Sequence, residues 1–330
     1  MSAILSTRGL TVRFATRRGP VTAVDGLDLD IAPGETLALV GESGCGKTAA
    51  ALALLGLHAA TSAQVSGSIL IDGAEAAGLS PTGWRRIRGA KISMVFQEPM
   101  TALNPVLSIG EQLIEAVRAH APASRGKAER AALDLLDAVA LPDPRRRLHD
   151  YPHQLSGGQR QRALIAIAIA ANPRILVADE PTTALDVTIQ AQILELLKRL
   201  RRERGMALIL ITHDLGIVAD MADRVAVLYA GRKVEEADAR RIFEAQLHPY
   251  TQRLLATRAR PPKRDGQRQR LSEIAGTVPA LDALPAGCAF APRCPVALAS
   301  CAQVRPREVE AQRRHLAACL RVAAPAEVAT

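Results

Sequence analysis

The chain has 330 residues, of which 48% are hydrophobic, and a formal net charge of +9. This is enough apolar sequence for a full core, and it indicates one large domain with an appendage. No apolar run approaches the ~20 residues of a membrane-spanning helix. The N-terminus also lacks the basic region and apolar core of a signal peptide, so a cytosolic protein is expected.

The positive charge is concentrated near the C-terminus. Residues 251–330 carry 13 Lys+Arg and 6 Asp+Glu, a net +7, which leaves +2 for residues 1–250. Aromatic residues make up 2% of the chain, too few for a surface on which nucleic-acid bases stack. A nucleic-acid partner is therefore not expected, and the basic tail is interpreted as solvated or facing a protein partner.

A glycine-rich loop lies between a predicted strand, 36–40, and a predicted apolar helix, 49–57. Its sequence is G-x-x-x-x-G-K-[ST] in the context that identifies a phosphate-binding P-loop. Its residues are Gly41, Glu42, Ser43, Gly44, Cys45, Gly46, Lys47 and Thr48. The backbone N–H groups are expected to wrap the phosphates of a nucleotide, with Lys47 on the β and γ oxygens and Thr48 on Mg²⁺. Cys45 is interpreted as a small loop residue.

Further strands are predicted at 4–14, 21–31, 65–72 and 91–96. The last of these leads to Gln97, after which the pattern becomes helical from Glu98 to about Ile165. Ser108 and Glu111 have the spacing of a capping box at the start of a helix. A helical insertion in the sheet is therefore predicted. Phe14, ahead of the P-loop, is predicted either to stack on adenine or to belong to the core.

Two chemically distinct features lie close together in the middle of the chain. Ser156, Gly157, Gly158 and Gln159 precede a helical apolar run, and glycines that open a helix suit a phosphate. The apolar run 175–178 then predicts a buried parallel strand that ends in Asp179 and Glu180. Acids at the carboxyl end of such a strand face the ligand crevice of an open α/β sheet. This pairing predicts a site for a phosphate, a metal ion and a water molecule.

The elements after the acid pair return to the same sheet edge. Asp186 is predicted to cap an amphipathic helix that ends at Gly205. The strand 207–211 then delivers His213, and 225–229 is expected to be the last core strand. From Pro261 the composition predicts a linker into a small cysteine-bearing region.

Together these motifs resemble those of an ABC-type ATPase cassette. They are the P-loop, Gln97, LSGGQ at 155–159, ILVADEP at 175–181, ALD at 184–186 and His213. The resemblance implies an α/β fold, a P-loop NTPase with a mixed central sheet, an antiparallel β subdomain and a helical insertion at about 98–165. The cassette would cover residues 1–250, and residues 251–330 would form a small cysteine-containing C-terminal extension.

The same resemblance implies a role for each residue. Asp179 would hold Mg²⁺ together with Thr48, Glu180 would be the general base, and Gln97 would sense Mg²⁺ and water. His213 would hydrogen-bond the γ-phosphate. Ser156 to Gln159 would bind ATP held by the opposite cassette of a dimer, and Asp186 would align the dimer seam. The ATP site is thus expected to be composite.

Four segments are similar to one branch of this family, the ATPase subunits of oligopeptide/dipeptide importers. They are QEPMTALNP at 97–105, YPHQ at 151–154, HPYT at 248–251 and the tail at 276–301. Nickel importers share parts of this pattern, so nickel or another small solute is the alternative cargo. Soluble ABC ATPases of DNA or ribosomes are disfavoured, because they carry long insertions or two cassettes in one chain.

The branch also implies partners and a location. The partners are two membrane permease subunits, a second ABC ATPase subunit that is a related chain rather than a second copy, and an extracytoplasmic substrate-binding protein. The chain would then lie peripherally at the cytoplasmic face of the cell membrane.

The cysteine spacing leaves the state of the C-terminal region open. Cys288, Cys294, Cys301 and Cys319 are separated by 5, 6 and 17 residues, unlike the C-x2-C hairpin of a zinc finger. Four thiolates can also hold a [4Fe–4S] cluster, which some members of the resembling family contain. The alternatives are therefore an iron–sulfur cluster, zinc, or free structural thiols.

Overall fold

A computed structural model of the chain describes residues 3–17, 19–59, 61–257 and 274–322. The predicted linker from Pro261 lies mostly outside these ranges. The strands are β1 (Leu5–Thr16), β2 (Gly19–Ile31), β3 (Thr36–Val40), β4 (Ala63–Ile71), β5 (Ala74–Glu75), β6 (Ile92–Val95), β7 (Ile175–Asp179), β8 (Ala207–Ile211), β9 (Arg224–Tyr229), β10 (Arg232–Asp238), β11 (Val309–Gln312) and β12 (His315–Ala317). The helices are α1 (Lys47–Leu54), α2 (Pro81–Ile87), α3 (Pro99–Ala102), α4 (Ile109–Arg118), α5 (Arg125–Ala138), α6 (Pro144–Arg147), α7 (Gly157–Ala168), α8 (Val187–Arg204), α9 (Leu215–Met221), α10 (Ala239–Glu244) and α11 (Pro249–Ala256).

The strands form two sheets. An antiparallel sheet has the order β2-β1-β4-β5. The main sheet has the order β11-β12-β10-β9-β3-β8-β7-β6, in which the five strands from β9 to β6 run parallel. Every residue of β3, β7 and β8 is buried, since both faces of a parallel sheet are covered. The predicted mixed sheet and antiparallel subdomain are confirmed.

Helices α3 to α7 form the predicted insertion, which packs on one face of the main sheet. Leu113, Leu136 and Leu164 belong to the same buried cluster as Leu176 of β7. The predicted caps are present because short polar side chains satisfy the free N–H groups of a first helical turn. Ser108 and Glu111 form a capping box, and Asp186 Oδ1 accepts the N–H of Ile189 at 2.9 Å.

The C-terminal region extends the main sheet. Strand β12 pairs with β10, and β11 pairs with β12, so the expectation that 225–229 is the last core strand was wrong. Without these strands β10 would expose a row of unpaired backbone groups at the sheet edge. The fully buried carboxylate of Glu235 on β10 accepts the N–H of His248 at 3.0 Å and lies 2.7 Å from His315 Nε2. Helix α11 runs across residue 250, where the boundary between the cassette and the C-terminal extension was predicted. That domain boundary stays a prediction.

Folding stability should depend on the buried imidazole of His248. Its Nδ1 accepts the N–H of Tyr250 at 3.0 Å, and burial lowers its pKa from 6.5 to about 4. Below pH ~6.5 the unfolded chain therefore binds a proton that the folded chain excludes, so stability falls as the pH falls toward ~4. His248→Asn keeps a capping acceptor. As the pH falls from ~6.5 to ~4, the free energy of unfolding, measured in urea, should decrease by about 3 kcal/mol more in the wild type than in this variant. Equal losses would show that folded His248 accepts the proton.

Candidate functional site

The P-loop connects β3 to α1 and lies against neighbouring backbone. Gly41 has φ +152° and Gly46 has φ +100°, and a Cβ at either position would come within 2.2 Å of a carbonyl oxygen. Only glycine fits these two positions without moving the loop. Ser43 and Gly44, in the middle of the loop, are exposed.

The basic and thiol side chains of the loop are both buried. Lys47 is 7% exposed, and its ammonium donates to Gly41 O at 2.8 Å and Glu42 O at 3.0 Å. This places a positive charge against the loop that the phosphates would occupy. Burial raises the pKa of the Cys45 thiol, which disfavours a nucleophilic thiolate.

Three side chains contact the carboxylate of Glu180 at the carboxyl end of β7. Gln97 Nε2 lies 3.0 Å and Thr183 Oγ1 2.8 Å from Glu180 Oε2, and His213 Nδ1 lies 3.0 Å from Oε1. These residues follow β6, β7 and β8, which are neighbours in the sheet. Glu180 itself has φ +45°, a conformation uncommon for a residue with a side chain. The sheet thus assembles a carboxylate, an amide and an imidazole at one edge.

The Glu180 carboxyl is held in its ionised form. Partial burial acts to raise its pKa, but hydrogen bonds from His213 and Thr183 and the charges of His213 and Lys47 outweigh burial, so that the pKa is lowered. A carboxylate in contact with an exposed imidazole can orient and polarise a water molecule.

Asp179 and Thr48 fit a magnesium ion. Asp179 is 2% exposed, its carboxylate accepts a hydrogen bond from Thr48, and burial raises its pKa. Within the described ranges its Oδ1 is buried and has no hydrogen-bond partner. A hydroxyl and an orphaned carboxylate oxygen are the hard ligands that Mg²⁺ prefers. When bound, the ion would neutralise charge on the phosphates. Gln97, which was predicted to contact Mg²⁺ and water, contacts Glu180 instead in this structure.

Residues 156–159 open α7 on an exposed surface. Ser156 caps the helix, with its Oγ 3.4 Å from the N–H of Gln159, while the side chain of Gln159 accepts the N–H of Ser156 at 3.1 Å. Among the described residues, the side-chain hydrogen bonds of Ser156 and Gln159 stay within the first turn of the helix, and none reaches the P-loop. Gly158 packs on α8, where a Cβ would come within 2.6 Å of Ile189. The first N–H groups of the helix are therefore presented outward, next to exposed Asp186 and Val187.

Phe14 lies on β1 beside a cleft. Its ring packs edge-on against His58, with centroids 5.3 Å apart, and His58 Nε2 lies 2.8 Å from Ala49 O on α1. The half-buried ring also lines a cavity of about 500 Å³ between β1, β2 and β4. Its predicted contact with adenine stays a prediction.

The structure supports neither metal alternative for the C-terminal cysteines. The four thiols lie in one small region, where Cys288 N–H donates to Cys301 O at 2.8 Å, yet the described residues contain no group of three or more His, Cys, Asp or Glu side chains arranged to hold a metal ion. Burial raises the pKa of Cys288 and of Cys319, which favours thiols. Iron analysis of anaerobically purified protein tests the [4Fe–4S] prediction.

Three residues that contact Glu180 or the P-loop were not identified as site residues from the sequence. Thr183 contacts Glu180 from the turn after it, and the hydroxyl three residues beyond the acid pair was an available signal. Arg293 and Tyr250 contact Glu42 of the P-loop from 251 and 208 positions away in the chain. No local pattern indicates contacts at that separation.

Two family models match the chain. The ABC transporter model matches residues 24–183, and the model of the C-terminal region of oligopeptide/dipeptide transporters matches residues 234–301. A Brucella abortus protein with the provisional name of peptide import ATP-binding protein is 50% identical over 92% of this chain and 90% of its own. A Brucella melitensis protein of the same provisional name is 48% identical over 96% of this chain and 97% of its own.

Two solved structures of ATP-binding cassette proteins are also similar to this chain. A dimeric ATP-binding cassette, MJ0796, in a post-hydrolysis state with ADP and Pi, has a TM-score of 0.64 and 30% identity over 72% of this chain and 99% of its own. The cbiO1 protein of Clostridium perfringens, part of an ABC transporter complex, has a TM-score of 0.63 and 27% identity over 74% of this chain and 92% of its own. The chain therefore belongs to the ATP-binding proteins of the ABC transporter family and carries the C-terminal region of oligopeptide/dipeptide transporters.

Proposed function

We propose that this chain is the ATP-hydrolysing subunit that energises import of di- and oligopeptides through membrane permeases. The observation that carries the proposal is the convergence of Glu180, Gln97 and His213 beside a P-loop whose Lys47 and Thr48 face Asp179. A base, two orienting groups and a phosphate cradle are the parts that ATP hydrolysis needs.

Each group has one task in the proposed reaction. Lys47 and the P-loop N–H groups would bind the phosphates, and Asp179 and Thr48 would hold Mg²⁺. The Glu180 carboxylate accepts a hydrogen bond from the attacking water and takes its proton as the oxygen attacks the γ-phosphorus. The bond between the γ-phosphorus and the β–γ bridging oxygen breaks, and ADP leaves with that oxygen. Gln97 and Thr183 keep the carboxylate oriented, and His213, which is 68% exposed, is free to reach the γ-phosphate.

The second half of each ATP site comes from another cassette. Ser156 and Gly157 are exposed at the N-terminus of α7, where a helix favours bound anions, and the Ser156 side chain bonds within its own helix turn. A facing cassette places such a helix end over the ATP. We assign this role to a related chain rather than to a second copy.

A cleft beside Gln97 suits a helical element of the permease. It has a volume of about 510 Å³ and is lined by Leu57, Phe96, Leu107 and Leu164. Phe96 is 38% exposed, and Met100 and Val106, which follow in α3 and the next loop, are 54% and 75% exposed. An exposed apolar surface of this kind is typical of a protein interface. Movement of Gln97 would link the cleft to the ATP site.

The C-terminal family match and the two Brucella relatives support a peptide as cargo. An extracytoplasmic binding protein would deliver the peptide to the permeases, and this chain would lie at the cytoplasmic face of the membrane. No helix among the described residues is both long enough and apolar enough to span a membrane.

Uptake of a labelled dipeptide and of labelled nickel tests the cargo. In cells whose native gene is replaced by the Glu180→Gln form, peptide uptake should be lost and nickel uptake retained. Glu195→Gln is the matched control, because Glu195 lies exposed on α8, where it pairs with the equally exposed Arg202. Loss of nickel uptake alone would identify nickel as the cargo, and no change in either would contradict the import function.

A further inference from the structure

The P-loop is held by a side chain of the C-terminal region. Arg293 Nη1 donates to Glu42 Oε2 at 2.7 Å, and Arg293 Nη2 donates to Glu42 Oε1 at 3.0 Å. This two-pronged pair is the strong geometry of an arginine with a carboxylate. The Arg293 side chain is 4% exposed and that of Glu42 is 27% exposed, so water screens the pair only partly. Glu42 is the second residue of the P-loop.

The guanidinium is fixed by the C-terminal region itself. Its Nε donates to Ala275 O at 3.0 Å, and Nη2 also donates to Ile274 O at 3.1 Å. Nη1 lies 3.3 Å from Tyr229 Oη. The pKa of Arg293 is raised, mainly by its hydrogen bonds to Glu42. Arg293 therefore contacts the P-loop as a guanidinium held in one orientation. A lysine has a single ammonium on a flexible side chain and could not make the same set of hydrogen bonds.

An aromatic cluster anchors the same junction. Phe290 of the C-terminal region packs on Tyr229 and Tyr250, with ring centroids 5.3 and 5.4 Å apart, and all three rings are buried. Tyr250 Oη accepts the N–H of Glu42 at 3.0 Å. The carbonyl of Glu42 in turn accepts the ammonium of Lys47 at 3.0 Å. One P-loop residue thus links the C-terminal region to the phosphate-binding lysine.

We propose that Arg293 is a positioning residue for ATP, acting through Glu42, so that the C-terminal region sets the ATP affinity of the P-loop. The inference rests on the proposed ATP site. Arg293 neutralises the Glu42 carboxylate, which would otherwise place a negative charge in a loop that binds phosphates. It also holds the residue whose carbonyl positions Lys47.

The test is the Kd of Mg-ATP measured by calorimetry on the full chain. Arg293→Ala should weaken binding about tenfold, within the usual range of coupling between sites. Adding Glu42→Gln to that variant removes the uncompensated charge but does not restore the positioning of Glu42, so part of the lost affinity should return. In turnover assays Arg293→Ala should raise KM for ATP and leave kcat nearly unchanged, because Glu180, Gln97 and His213 are not in contact with it.

Arg305→Ala is the matched control, since Arg305 is another arginine of the C-terminal region that pairs with a cassette carboxylate, Asp25, outside the P-loop. Its Kd should equal that of wild type. Thermal unfolding of every variant shows which are folded, and Arg293→Lys, expected to bind ATP with intermediate affinity, replaces Arg293→Ala if the latter does not fold. Wild-type affinity in Arg293→Ala, or a loss that Glu42→Gln does not relieve, would overturn the proposal. If Lys47→Ala also bound ATP normally, the proposed ATP site itself would fail.

Discussion

Glu180→Gln is expected to lower ATP turnover by about 10²- to 10⁴-fold, the usual contribution of a general base, while ATP binding is retained. Glutamine has nearly the same shape as glutamate, so Gln97 and Thr183 keep a partner, but an amide cannot take a proton from water. The measurement is phosphate release at saturating Mg-ATP, together with the Kd of Mg-ATP for the same protein. Bound ATP that cannot be hydrolysed should also hold two cassettes together, so size-exclusion chromatography of this chain with its related partner chain and ATP should show more of the cassette pair.

The Glu195→Gln variant separates this effect from the general loss of a surface charge. It makes the same chemical change on an exposed face of α8 and should turn over ATP at the wild-type rate. If Glu180→Gln retained turnover within a few-fold of wild type, Glu180 would not be the base, and His213, its nearest titratable neighbour at 3.0 Å, would be the next residue to test.

Lys47→Ala is expected to weaken ATP binding itself, by about 30-fold or more, since truncating one partner of a buried charge pair costs about 2–5 kcal/mol. Lys47 is 7% exposed, and its ammonium is already held against two loop carbonyls. The Kd of Mg-ATP, measured by calorimetry, reports the loss directly.

Lys198→Ala is the control for this variant. Lys198 lies on α8 and pairs with Asp220 at 2.7 Å on the surface, so its loss should leave the Kd unchanged and stability within about 1 kcal/mol. An ATP affinity of Lys47→Ala equal to that of wild type would contradict the assignment of the P-loop.

The sequence by itself determined the features that depend on neighbouring residues. The P-loop glycines, the capping residues Ser108 and Asp186 and the apolar runs of β3, β7 and β8 each carry a local signature. That signature arises because backbone dihedrals, free N–H groups of a helix and continuous burial constrain residue type directly. The placement of Gln97, Glu180 and His213 at one sheet edge also followed, since each comes directly after a buried strand.

Contacts between residues far apart in the sequence were decided only by the tertiary structure. Pairing of β12 with β10 depends on the register of two strands about 80 residues apart, and short strands of mixed polarity carry little signal for pairing. The bidentate pair of Arg293 with Glu42 joins residues 251 positions apart, and an arginine in the sequence does not indicate which carboxylate it will meet. The C-terminal region therefore became part of the P-loop surroundings only when the chain folded, because burial and charge pairing are properties of the packed structure.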